Sequence, residues 1–192
     1  MCRVDIYCIA QVCGLESVCA KKPDDYEAAL VGHLRLLNAA YPKSIVVVCV
    51  EANLGFESSH ISRMVTESDV KYVVQMYEAK SGVPGMVTTH SSKEVMHSLC
   101  AEKLRENAIV FTEPLLTTHG NPDKMRAALE QQLQNYSIIM DRPDKLTQHF
   151  RFAKKTFSGK HHGPDDLAVM LQFALLARNR FFSNVKYRRY WK

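Results

Sequence analysis

Six apolar residues in succession, Ile45-Val46-Val47-Val48-Cys49-Val50, followed at once by Glu51, constrain this chain more than any other stretch. Side chains branched at Cβ favour extended backbone, and a strand apolar on both faces must be covered on both. Such a strand belongs inside a parallel or mixed sheet with helices above and below. Glu51 then stands where the strand runs out, at the crevice in which open α/β sheets hold their ligands. A solvated strand-end carboxylate is the plain alternative.

The flanking segments continue the α/β pattern. Val4, Ile6, Cys8 and Ala10 alternate with other residues over 3–11, as in a strand. Asp24 and Glu27 form a capping pair for a helix in which Tyr26, Leu30, Leu34 and Leu37 recur at helical spacing before Pro42. Strand, helix, strand predicts a crossover and parallel pairing of the first strand with the 45–53 strand. Further on, the pattern predicts a short helix over 57–65 and a strand over 71–77. A Ser91/Glu94 capping box then opens a helix to about residue 105, with Met96, Leu99, Cys100 and Leu104 inward, and a short strand follows over 108–111. Asn121-Pro122 is a cap followed by proline at the first helical position, with Met125, Leu129 and Leu133 on one face beyond it. Extended segments are predicted over 136–140 and 150–155. A last helix opens at Pro164-Asp165-Asp166 and is almost wholly apolar over 167–176, the pattern of a helix buried against a sheet.

At 192 residues, 46% of them hydrophobic and 23% charged, the chain fits one soluble globular domain. No apolar run is long enough to cross a bilayer, so no membrane partner is expected, and the N-terminus lacks a signal-peptide pattern. The six cysteines include no C-x-x-C pair and no His at finger spacing, which argues against a zinc module, and their apolar settings predict reduced thiols in the cytosol or nucleus. Net charge is +5, yet residues 1–144 carry 14 Lys/Arg against 18 Asp/Glu; the basic excess begins at Lys145. That asymmetry points to a polyanionic partner on the C-terminal side.

Glu51 at a strand end and Asp165-Asp166 at a helix start are the acidic features able to converge. Carboxylates near a helix N-terminus stay ionised and bind hard cations. Two Mg²⁺ or Mn²⁺ ions among them would activate a water and steady the leaving oxygen in phosphodiester cleavage. Just upstream, Lys154, Lys155 and Lys160 lie in a basic, glycine-containing loop over 154–163 suited to a phosphate backbone. His161 and His162 are weaker candidates as ligands or bases, because adjacent side chains seldom point into one site. The chain has neither a P-loop nor a G-x-S-x-G elbow. Over 178–192, six basic residues, Arg178 and Arg180 among them, interleave with aromatics in a form that suits nucleic acid, a frayed terminus or a docking segment.

Three motifs in order resemble one family. Thr156-Phe157-Ser158-Gly159-Lys160 followed by Asp165-Asp166-Leu167 resembles the last catalytic motif of the herpesvirus terminase large subunit, the DNA-packaging motor. The run ending Val50-Glu51-Ala52-Asn53 resembles that family's Val-Glu-Gly-Asn, and Phe111-Thr112-Glu113-Pro114 through Leu129-Glu130-Gln131-Gln132-Leu133 is similar to the stretch before its Leu-Glu-Gln helix. The order holds from about Arg3 to Leu176.

The resemblance implies an RNase H-like, integrase-type fold: a mixed central sheet flanked by helices, here lacking its first strand. It divides the chain into a nuclease domain over 1–177 and a basic aromatic tail over 178–192. It further implies a two-metal endonuclease that cuts concatemeric viral DNA during packaging, in the host nucleus, with other terminase subunits and the capsid portal as partners. Carried over, Glu51 and Asp166 are metal ligands, Asp165 is their helper, and Lys160 contacts phosphate. Two departures stand against this. The ATPase half is missing, and so is the Asp-Pro-Ala-like motif bearing the first catalytic aspartate, a role that Asp5 does not fill. A non-catalytic DNA- or subunit-binding fragment, or an unrelated resolvase or transposase nuclease, are the competing readings.

Overall fold

The computed structural model describes residues 10–15, 23–54, 56–79, 81–118, 120–140, 155–158 and 164–190. In chain order these form β1 (Ala10–Gly14), α1 (Pro23–Ala40), β2 (Val46–Val48), α2 (Phe56–Glu67), β3 (Val73–Gln75) and α3 (His90–Arg105). Then come β4 (Ile109–Leu116), α4 (Pro122–Asn135), β5 (Ser137–Met140), β6 (Lys155–Ser158) and α5 (Asp166–Ser183), with 3₁₀ turns at Ala52–Leu54 and Val185–Tyr190. The architecture is mixed α/β, with α-helices packed around short two-stranded ladders.

β1 pairs with β4 and β2 with β3, both parallel, while β5 and β6 are antiparallel. Among the described residues β1 pairs with β4 and not, as predicted, with β2; residues 3–9 of the strand expected over 3–11 lie outside the described residues. Periodicity marks a strand without naming its partner, and here packing chooses: Val12, Ile109 and Phe111 all rest on the cluster of Cys100, Leu129, Leu171 and Leu175. Along β1 the register to β4 shifts before Gly14, where a Cβ would lie 2.9 Å from the Leu116 carbonyl oxygen and 3.0 Å from the His33 ring. Only glycine admits that approach.

Three apolar clusters hold these elements. Leu34, Val48 and Val65 join α1, β2 and α2. On the other side of β2 and β3, Val74, Met76, Met86 and Met96 meet Phe173, Leu176, Ala177 and Phe181 of α5. The third contains Leu129, which is wholly buried, and Leu171 and Leu175 of the same helix.

The helix starts separate what composition can and cannot say. α4 begins as predicted, with Asn121 Oδ1 accepting from the N–H groups of Asp123 (2.9 Å) and Lys124 (3.2 Å). α3 begins two residues earlier than the Ser91/Glu94 reading: Thr89 Oγ1 accepts from Ser92 N (3.2 Å) and Ser92 Oγ accepts from Thr89 N (2.7 Å). A reciprocal cap needs a side-chain oxygen three residues on to accept from the cap residue's N–H, and a serine hydroxyl serves there as a glutamate carboxylate does. Leu104, expected inward, is 43% exposed at the last turn of that helix.

Residues 156–158, read as loop, belong to β6, whereas the extended segment expected over 150–155 falls outside the described residues except for Lys155. α5 runs past the expected domain edge at residue 177 to Ser183. Phe181 is buried there and stacks on Tyr187 at 4.9 Å, and Tyr77 N donates to the Tyr187 hydroxyl (3.2 Å). Phe181, Phe182 and Tyr187 thus serve the core. Among the described residues no helix is long and apolar enough to cross a membrane.

Candidate functional site at the carboxyl end of β2

Beyond β2 the chain stays extended to Glu51, which bridges Met86 in parallel: Met86 N donates to Val50 O (2.8 Å) and Ala52 N donates to Met86 O (3.0 Å). Gly85 makes this close approach feasible. Its φ is +98°, and a Cβ there would fall 2.2 Å from the Val50 carbonyl oxygen. The strand end carrying Glu51 is therefore clamped on a backbone that admits no side chain at residue 85.

The carboxylate is then fixed by two neighbours. Glu51 Oε1 accepts from the Thr88 hydroxyl and from Asn53 Nδ2, the latter at 3.1 Å. Asn53 also donates to Thr88 Oγ1 (2.6 Å) and Thr88 O (3.1 Å), and its Oδ1 accepts from Thr88 N (2.8 Å). Thr88 is buried, whereas Glu51 and Asn53 are exposed. A closed polar ring of three side chains therefore presents a carboxylate to solvent. Asn53 and Thr88 had drawn no attention as Glu51's partners in sequence. Asn53 follows it by two residues; Thr88, 37 residues away, leaves no trace in the local pattern.

The second acidic feature lies at the start of α5. Asp165 occupies the cap position but makes no side-chain capping bond, and it is 4% exposed. The orphan N–H groups of the first turn are met from α4 instead: Gln132 Oε1 accepts from Leu167 N (2.8 Å) and Ala168 N (3.1 Å). Gln132 stands one heptad after Met125, a polar residue on an inward stripe, and that misfit was its sequence signal. Around Asp165 a part-buried polar group assembles. Burial, then the charge of Asp165, pushes the Tyr136 phenol above its ordinary value, opposed by a hydrogen bond with the buried Gln172. His97 stacks on Tyr136 at 5.7 Å between centroids, and burial lowers its imidazole below the usual range.

Asp166, one residue on, is exposed in the first turn of α5. Among the described residues no three of His, Cys, Asp and Glu are grouped to hold a metal ion, so Glu51, Asp165 and Asp166 do not form such a set. Their donor chemistry suits a hard cation.

Of the predicted DNA-contacting residues, Lys154 and Lys160 lie outside the described residues, as do His161 and His162, the candidate ligands or bases, and Lys155 is described only as part of β6. Arg178 lies 5.7 Å from the Phe182 ring, and Arg180 Nη1 is 3.8 Å from Glu78 Oε2. Both sit on α5 and not on a separate tail. Comparison with protein-family models, curated proteins and solved structures finds no match in any of the three.

Proposed function

We propose that this chain is an RNase H-like nuclease domain of the kind carried by the herpesvirus terminase large subunit, acting on double-stranded viral DNA during genome packaging. The reading rests on the ordered motifs around Glu51, Leu129-Glu130-Gln131 and Asp165-Asp166. One observation gives it physical content: in the Glu51-Ala52-Asn53 motif, the asparagine holds the glutamate, and the pair is clamped to Thr88 at the end of a strand. On this reading Glu51 and Asp166 are the ligands for Mg²⁺ or Mn²⁺, and Asp165 is their helper. Bound divalent ions supply activation of water and stabilisation of the leaving oxygen. The phosphate backbone falls to Lys154, Lys155 and Lys160, and the other subunits, the portal and a nuclear setting follow from the same resemblance.

A non-catalytic DNA- or subunit-binding module of the same assembly is the second reading. No residue of this sequence is carried over to the family's first catalytic aspartate, and that favours it. Mn²⁺-dependent nicking of supercoiled plasmid distinguishes the two. Cleavage abolished by both Glu51→Ala and Asp166→Ala supports the nuclease. Gel-shift binding without cleavage supports the second reading, and cleavage indifferent to both substitutions refutes the assignment of the site.

A further inference from the structure

Met86, Val87 and Thr88 form one short run against Glu51. Met86 holds the backbone on either side of it, donating to Val50 O (2.8 Å) and accepting from Ala52 N (3.0 Å). Thr88 meets the side chains, its hydroxyl donating to Glu51 Oε1 and its N–H to Asn53 Oδ1 (2.8 Å). Val87 stands between the two, and its N–H donates to Oε2 of Glu78 at 3.1 Å. The other oxygen of Glu78 accepts from Ala79 N, also at 3.1 Å.

One carboxylate therefore ties the start of the 78–87 segment to its end. The segment doubles back through bonds from Glu78 N to Val83 O (2.9 Å), Gly82 N to Glu78 O (2.9 Å) and Gly85 N to Met76 O (2.7 Å), and none of these reaches Val87 or Thr88. A brace for a local turn needs only the bond to Ala79. The bond to Val87, nine residues on, is the one that reaches the site. A carboxylate accepting from a backbone N–H makes a charge-assisted bond, about twice as strong as a neutral one. Glu78 is also shielded, its side chain 19% exposed, with Arg180 Nη1 of α5 at 3.8 Å from Oε2.

We propose that Glu78 is a positioning residue for Glu51. It holds the Val87 amide and thereby sets Thr88 where its hydroxyl meets the Glu51 carboxylate. For its function this inference rests on the nuclease reading. There, Thr88 and Asn53 commit Oε1 and leave Oε2 for the divalent ion, so a displaced Thr88 turns the ligating oxygen away from its direction.

Carboxyl ¹³C NMR of the full-length chain, labelled at glutamate, reads the effect at Glu51 without metal or DNA. The Glu51 signal is the one lost in Glu51→Gln. Glu78→Ala is expected to move it in the same direction as Thr88→Val, and the double variant no further than Thr88→Val alone, because Glu78 acts through Thr88. Glu78→Gln keeps one acceptor oxygen for the two amides and is expected to move it less. In Mn²⁺-dependent plasmid nicking, the half-saturating Mn²⁺ concentration is expected to rise about 10- to 100-fold in Glu78→Ala, with the plasmid dependence unchanged. A parent chain that does not nick refutes the nuclease reading, and the NMR comparison then decides the positioning role by itself. A Glu51 signal that stays in place in the folded Glu78 variants overturns the proposal. So does a displacement in the double variant equal to the sum of the single ones, or an unaltered Mn²⁺ dependence of Glu78→Ala beside a parent that nicks.

Discussion

Replacing Gln132 by alanine tests whether α4 sets the start of α5. The substitution leaves Leu167 N and Ala168 N without the acceptor they share at 2.8 Å and 3.1 Å. Asp165 makes no side-chain capping bond to replace it. Ala168 is 0% exposed, so water reaches its amide poorly, while the half-buried Leu167 rehydrates in part. A buried donor left unpaired costs about 1–3 kcal/mol and loss of a cap typically about 1 kcal/mol, which sets the expected loss near 2 kcal/mol. For a domain of this size that is a fall in Tm of about 4–8 °C. Gln132→Glu keeps an acceptor oxygen at a positive helix end and is expected to retain more than half of the stability. Urea and thermal unfolding give the magnitude; amide exchange at Leu167 and Ala168 gives the location. A loss below about 0.5 kcal/mol, the range of ordinary surface changes, refutes the capping argument, as does a loss with unaltered exchange at those two amides.

Gly85→Ala is expected to cost more than about 3 kcal/mol, because strain at positive φ adds to a contact 2.2 Å from Val50 O; a urea midpoint close to that of the parent would show that the clamp on Glu51 yields. Burial pushes the Cys49 thiol up to about 12 and the Cys100 thiol to about 11, with Glu78 adding to the first and Arg180 opposing it. Both native thiols thus keep their protons where an unfolded thiol, at its ordinary 9.0, releases them. Stability is therefore full below about pH 9 and falls as pH rises, by about 1.4 kcal/mol per thiol near pH 10. Urea midpoints across that interval check this against the Cys49→Ala/Cys100→Ala variant, whose slope is expected to be shallower; equal slopes refute it.

What sequence could tell here follows the range of the interactions. The β2 run and the Asn121-Pro122 cap are set by neighbours a few residues apart, and the local pattern shows both. The partners of β1 and β2 are set by packing across more than 25 residues, which no local pattern encodes. The same holds for the site. Glu51 was evident at the end of an apolar run, but Thr88 and Gln132 act on groups about 35 residues away. The α3 cap was displaced by two residues because Thr89, Ser91 and Ser92 all carry hydroxyls, and only the entry angle of the chain selects among them.

The packing of α5 bears on how the two parallel ladders are joined. Leu171 and Leu175 belong to one apolar cluster and Phe173, Leu176, Ala177 and Phe181 to another, while α3 gives Cys100 to the first and Met96 to the second. Two helices therefore tie β1 with β4 to β2 with β3, and a chain in which either helix is unformed bares apolar faces on both ladders at once.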